Sequence, residues 1–200
     1  MSARRAAYAV VRRVFEQGAW ADRVLPVATQ GLEARDRALA TTLAYGTVQR
    51  RATLDHVIER LAGRPVERLD APVRAALRLG VYQLVYLDRV PDHAAVAESV
   101  QLVKGDAPRG AGLVNAVLRR AAREARDLVA ALPDATPAQA ALKHSHPVWI
   151  AELWWERLGA DEARALMAAH NRAPEAALRA NTLKTTPAAL RERLPARAWS

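Results

Sequence analysis

The sequence has 200 residues, 51% of them hydrophobic, and carries 30 Lys and Arg against 21 Asp and Glu for a formal charge of +9. It has no cysteine, which excludes disulfides, thiolate metal sites and a cysteine nucleophile. No apolar run approaches the roughly 20 residues needed to cross a bilayer, and the arginine-studded start fits no secretory signal, so a cytoplasmic protein is expected.

The surplus charge is uneven. Residues 1–53 hold nine arginines against four acids. Guanidinium forks in that number suit a polyanion, and nucleic acid is the commonest one.

Alanine, leucine, valine and arginine dominate, which favours helices. Ala3 to Gly18 reads as an amphipathic helix with Tyr8, Val11, Val14 and Phe15 inward, Arg5 and Arg12 together on another side and Arg13 adjacent. A short element near Val24–Gln30 precedes a long helix from about Glu33 to Arg51, with Leu39 and Leu43 inward and Arg50 and Arg51 at its end. Leu54 to Leu61 continues helically until "GRP" at 63–65 breaks it. Asp70 is expected to cap the next helix, whose Val73, Leu77, Val81 and Leu84 repeat at helical spacing while Arg74 and Arg78 point away. Asp92 opens another, with Val96, Val100 and Val103 inward. A loop, "GDAPRGAG", then leads into "GLVNAVLRR", where Asn115, Arg119 and Arg123 share a face apart from the apolar stripe.

No segment up to this point alternates like a strand, so an all-α bundle is predicted for residues 1–130. The stretch "LPDATPAQAALKHSHP" (132–147), with three prolines, reads as a boundary, and residues 131–146 are expected to be a linker. From 147 to 200 the pattern predicts helices over Pro147–Leu158 and Ala160–Asn171, a strand in "EAALRANTLKTT" (175–186) and a helix over 187–194. That run reads as the opening of a second, incomplete α+β domain whose apolar groups lack partners within the chain.

Several motifs carry little chemistry. His144 and His146 have no third or fourth convergent ligand nearby, so no metal site is expected. "GAG" at 110–112 lacks the preceding strand and third glycine of a dinucleotide fingerprint. Trp149, Trp154 and Trp155 could stack bases, but Ile150, Trp154 and Leu158 fall on one stripe, which favours core packing. The arginine faces remain. The candidate RNA-binding residues are Arg4, Arg5, Arg12, Arg13, Arg50, Arg51, Asn115, Arg119, Arg120 and Arg123.

Taken together, "RDRALATTLAYGTVQRRATLD", "VRAALRLGVYQLVYLDRVPDHAAVAESVQLVK" and "GLVNAVLRR" resemble the NusB-like N-terminal domain of the bacterial 16S ribosomal RNA cytosine-C5 methyltransferases, the RsmB/Sun family. "SHPVWIAELWWERLG" through "NRAPEAALRANTLKTT" resembles the segment that follows in the same enzymes. The resemblance implies a NusB fold that binds small-subunit ribosomal RNA through basic helix surfaces. Asn115 is then expected to brace a neighbouring helix or to face RNA, and the arginines to meet phosphates. After "YG" the family often has arginine three residues past the glycine, where Gln49 stands here. The resemblance also implies that the S-adenosylmethionine site and the attacking cysteine follow the region where this sequence stops. The chain is therefore expected to be a targeting module truncated before its catalytic domain, inactive alone and without a cofactor of its own. The alternative is a stand-alone transcription antitermination factor that binds RNA with a protein partner.

Overall fold

The Ser2 hydroxyl accepts from the Arg5 N–H at 3.3 Å and so opens the first helix; Gly18, at φ 65°, ends it in the left-handed region. This is α1 (Ala3–Gln17), the first of eleven α-helices in the computed structural model, which describes residues 2–172 and 178–194. It is followed by α2 (Ala21–Ala28), α3 (Ala34–Gln49), α4 (Arg51–Ala62), α5 (Ala71–Tyr86), α6 (Asp92–Asp106) and α7 (Ala111–Ala130). The remainder holds α8 (Pro137–His144), α9 (Val148–Leu158), α10 (Ala160–His170) and α11 (Pro187–Arg193). No strand occurs among the described residues, and the body is the all-α bundle its composition predicts.

The stripe predicted on α5 understates its burial. Val73, Leu77, Val81 and Leu84 are buried, but so are Ala75, Ala76, Leu79, Gly80 and Gln83 on the other sides. Helices α1, α3, α4, α6 and α7 all pack around it, which makes α5 the central rod. Two glycines allow that approach. A Cβ on Gly46 would lie 2.0 Å from the Tyr82 ring, and one on Gly80 would lie 2.6 Å from Leu118. The "YG" and "LGVYQL" motifs are thus close-packing devices. Arg78, expected to point outward, is only 4% exposed and donates to both carboxylate oxygens of Asp55 at 2.6 and 2.8 Å. Asp70 precedes α5 without making a side-chain cap bond.

The long helix expected to run to Arg51 breaks one residue earlier. Arg50 turns to φ −90°, ψ 12°, and α4 restarts at Arg51. A new helix start exposes N–H groups that need acceptors. The Ala52 N–H finds the Ser145 hydroxyl at 2.8 Å, and the Thr53 hydroxyl donates to the Leu142 carbonyl at 2.7 Å. Both acceptors come from the stretch expected to be a linker. That stretch contains α8, begun by the Thr136 hydroxyl accepting from the Gln139 N–H. The connecting segment is therefore fastened to the helical body.

Helices α8, α9 and α10 form a small second cluster over Ala140, Ala141, Ala151 and Met167, with Trp154 and Trp155 packed against it. Trp149 is 64% exposed, so the three tryptophans do not share one role. Val148, Leu153 and Leu158 of α9 are exposed as well. The strand predicted at 175–186 is not formed over 178–186. There the Asn181 side chain accepts from the Leu183 N–H, and its carbonyl accepts from Lys184 and Thr185. This local turn competes with extension, and the chain supplies no second strand among the described residues to pair with it. Residues 175–177 of that prediction lie outside the described residues.

Candidate nucleic-acid interface

The α1 arginines are built on a seven-residue spacing that places Arg5 and Arg12 on one side of Tyr8, their guanidiniums 5.6 and 5.8 Å from its ring centre. Both converge on one carboxylate. Asp106, in the last turn of α6, accepts from Arg5 at 2.9 Å and from Arg12 at 2.6 Å, one arginine per oxygen. Burial pushes the Asp106 carboxyl up, but the bonds and charges of the two arginines outweigh it and hold it below its usual range. Arg12 also holds Glu16 at 2.6 and 2.9 Å. Arg13 lines the same groove, of about 330 Å³, is exposed, and has no ion pair. Arg4 turns inward, donating at 2.8 Å to fully buried Gln83.

A second cluster lies on the face of α7 away from its apolar stripe. Asn115, Arg119 and Arg123 line a groove of about 390 Å³ together with Asp92 and His93 from the first turn of α6. Among the described residues the Asn115 side chain makes no hydrogen bond. Arg123 donates to the Arg119 carbonyl at 3.1 Å, and among the described residues neither guanidinium forms an ion pair, although the Arg123 charge helps to lower the neighbouring Glu124 carboxyl. Asp92 instead faces Arg126 at 3.1 Å. Arg120 is spent on Glu124 at 3.0 Å and on the Leu61 carbonyl.

At the α3–α4 break, Arg50 lies 4.5 Å from the centre of the Tyr86 ring. Arg51 lies over Phe15 at 5.4 Å and reaches Asp55 at only 3.6 Å.

The ten predicted residues thus do not crowd one patch. The α1 set sits at the C-terminal end of α6 and the α7 set at its N-terminal end. Since α6 has 15 residues, the two lie about 21 Å apart. Carboxylates pair with Arg5, Arg12 and Arg120, whereas among the described residues Arg13, Arg119 and Arg123 form no ion pair, Arg123 feeling Glu124 only through space. Asp106 was invisible in the sequence because its partners lie 101 and 94 residues away. Its carboxylate occupies the point where two guanidiniums could grip a phosphate. Asp106→Asn should therefore raise affinity for RNA roughly three- to tenfold, because one or two further phosphate contacts become available. Fluorescence anisotropy with a labelled RNA checks this, and unchanged affinity would remove Arg5 and Arg12 from the surface.

The histidines form no ligand set. His146 sits 5.5 Å from Trp154 and 6.0 Å from His170, measured between ring centres, and burial chiefly pushes both His144 and His146 down. Among the described residues no group of three or more His, Cys, Asp or Glu could hold a metal ion. No helix there is long and apolar enough to cross a membrane.

Comparison with known proteins places these features in context. Residues 1–123 match the NusB family, and residues 146–199 match the ferredoxin-like domain of RsmF/B-type methyltransferases. A Synechocystis protein described as a probable ribosomal RNA small subunit methyltransferase B is 36% identical over 93% of this chain and 42% of its own length. The ribosomal RNA small subunit methyltransferase B of Pseudomonas putida is 35% identical over 90% of this chain and 40% of its own. The chain thus spans about two fifths of these relatives. A crystal structure of the antitermination factors NusB and NusE with double-stranded RNA superposes with a TM-score of 0.56 and 26% identity, covering 60% of this chain and 93% of the other.

Proposed function

Since the chain belongs to the NusB family, matched over residues 1–123, we propose that it is the ribosomal RNA-binding module of a small-subunit ribosomal RNA cytosine-C5 methyltransferase. The helical body over 1–130 grips the RNA backbone. The segment 131–146 connects it to a second unit, from 147 onward, that leads toward a catalytic domain. The observation that carries this reading is the set of guanidiniums that form no ion pair among the described residues, Arg13 at one end of α6 and Arg119 and Arg123 at the other, in a chain of charge +9. The match over 146–199 and the relatives named for small-subunit ribosomal RNA support the methyltransferase branch over a free-standing antitermination factor.

The catalytic chemistry belongs elsewhere in such an enzyme. Adding a methyl group at C5 of cytosine needs a nucleophile on the neighbouring carbon, and this chain has no cysteine to supply a thiolate. Nor do the described residues contain a strand followed by a glycine-rich loop that would fit S-adenosylmethionine. What these residues do is hold and orient RNA in the cytoplasm, with phosphates on the arginines and Asn115 at the floor of the α7 groove.

Arg119→Ala with Arg123→Ala tests this. The double variant should bind a small-subunit ribosomal RNA fragment about ten- to a hundredfold more weakly in a filter assay, while its circular dichroism and melting stay those of the parent. An unchanged affinity would reject the α7 groove as an RNA contact.

A further inference from the structure

Among the described residues of the helical body, the most exposed large apolar side chain is Trp20, at 72%. Its position makes that exposure costly. Trp20 is the N-cap of α2, where Ser, Thr, Asp or Asn would accept a helix N–H, and it makes no capping bond. The turn that places it there is fixed by Gly18, whose N–H donates to the Arg13 carbonyl. Fold stability gains neither a cap nor burial from this indole.

The indole shares a groove of about 550 Å³ with Tyr45, which is 37% exposed. Phe15 and Val48 lie in the lining, and Arg51 and Asp22 are its charged members. The Arg51 guanidinium is 59% exposed and pairs with Asp55 only at 3.6 Å, since Arg78 already engages both oxygens of that carboxylate. Asp22 stands in the first turn of α2, where the helix dipole favours an anion.

We propose that this groove stacks an unpaired RNA base on Trp20 and Tyr45, with the adjoining phosphate on Arg51. The chemistry favours a base over a peptide side chain. Exposed flat rings accept any base, and a solvent-exposed guanidinium held only by a long ion pair beside them suits the phosphate that every base carries. Arg51 is itself in the lining, and the lining residues Val14 and Phe15 directly follow Arg12 and Arg13 along α1. Asp22 adds discrimination. Its carboxylate can accept from the exocyclic amino group of cytosine, which uracil lacks. The inference rests on the RNA-binding reading above and names the single-stranded element of that substrate.

The test uses the full chain with labelled oligocytidylate, oligouridylate and a short RNA duplex. Trp20→Ala and Tyr45→Ala should each weaken oligocytidylate binding about tenfold while leaving duplex affinity unchanged. Tyr45→Phe, which keeps the ring, should bind as the parent does. Trp149→Ala, which removes an exposed indole from α9, should also change nothing. Asp22→Ala should narrow the preference for oligocytidylate over oligouridylate. If the parent binds RNA but Trp20→Ala and Tyr45→Ala match it on oligocytidylate, or weaken duplex and single strand alike, the stacking groove is wrong while the arginine surface stands. If the parent binds none of the three RNAs at low salt, the RNA-binding reading itself fails.

Discussion

Asp55→Ala should destabilise the protein by about 3–5 kcal/mol, a large part of the 5–15 kcal/mol typical of a domain. The reason lies in the partner it abandons. Arg78 belongs to the central helix and is 4% exposed, with Phe15 against one face of its guanidinium at 4.4 Å. Without the carboxylate that accepts its two bonds, a buried positive charge is left uncompensated. Arg78→Met should cost less. It removes the charge from the core, and Asp55 keeps Arg51 within 3.6 Å. The double variant Asp55→Ala, Arg78→Met should recover much of the loss, because an apolar pair of similar volume can replace a buried ion pair at little cost. Urea denaturation measures all three. A loss below about 0.5 kcal/mol for Asp55→Ala would mean that Arg78 reaches water or another acceptor.

Much of this architecture is legible in the sequence because helix signals are local. Gly18 and Gly63 each end a helix at a positive φ where the apolar spacing stops. Pro187 opens α11 after Thr186, whose hydroxyl accepts from Ala189. What the sequence conceals is set by partners far along the chain. The break at Arg50 has no glycine or proline to announce it, and the Ser145 hydroxyl that satisfies the new helix start lies 93 residues away. Arg78 looks like any polar residue opposite a stripe until α4 brings Asp55 alongside. The predicted strand failed for the opposite reason, since the Asn181 turn is local and outcompetes an extended segment with no pairing partner.

The candidate site divides in the same way. Spacing alone puts Asn115, Arg119 and Arg123 on one face of α7. It could not reveal that α6 contributes His93 and Asp92 to that groove, or that Asp106 spends Arg5 and Arg12 on an internal pair. The cationic surface is consequently narrower than the arginine count suggests. Trp20 and Tyr45 carry no local signal that links them, since one stands at the N-cap of α2 and the other on α3, and they meet only in the folded groove.

The central claim is that the Arg13, Arg119 and Arg123 guanidiniums at the two ends of α6 hold the RNA backbone, so binding must release counterions. With about three to five phosphates neutralised, the logarithm of the affinity should fall against the logarithm of salt with a slope of about −2 to −4. Between 50 and 200 mM salt that is a loss of about ten- to a few hundredfold. The decisive measurement is this slope for a small-subunit ribosomal RNA fragment, taken for the parent and for the variant combining Arg13→Ala, Arg119→Ala and Arg123→Ala. The account predicts a steep line for the parent and one shallower by about 2 for the variant. A flat response in the parent, or identical slopes in both, would contradict it.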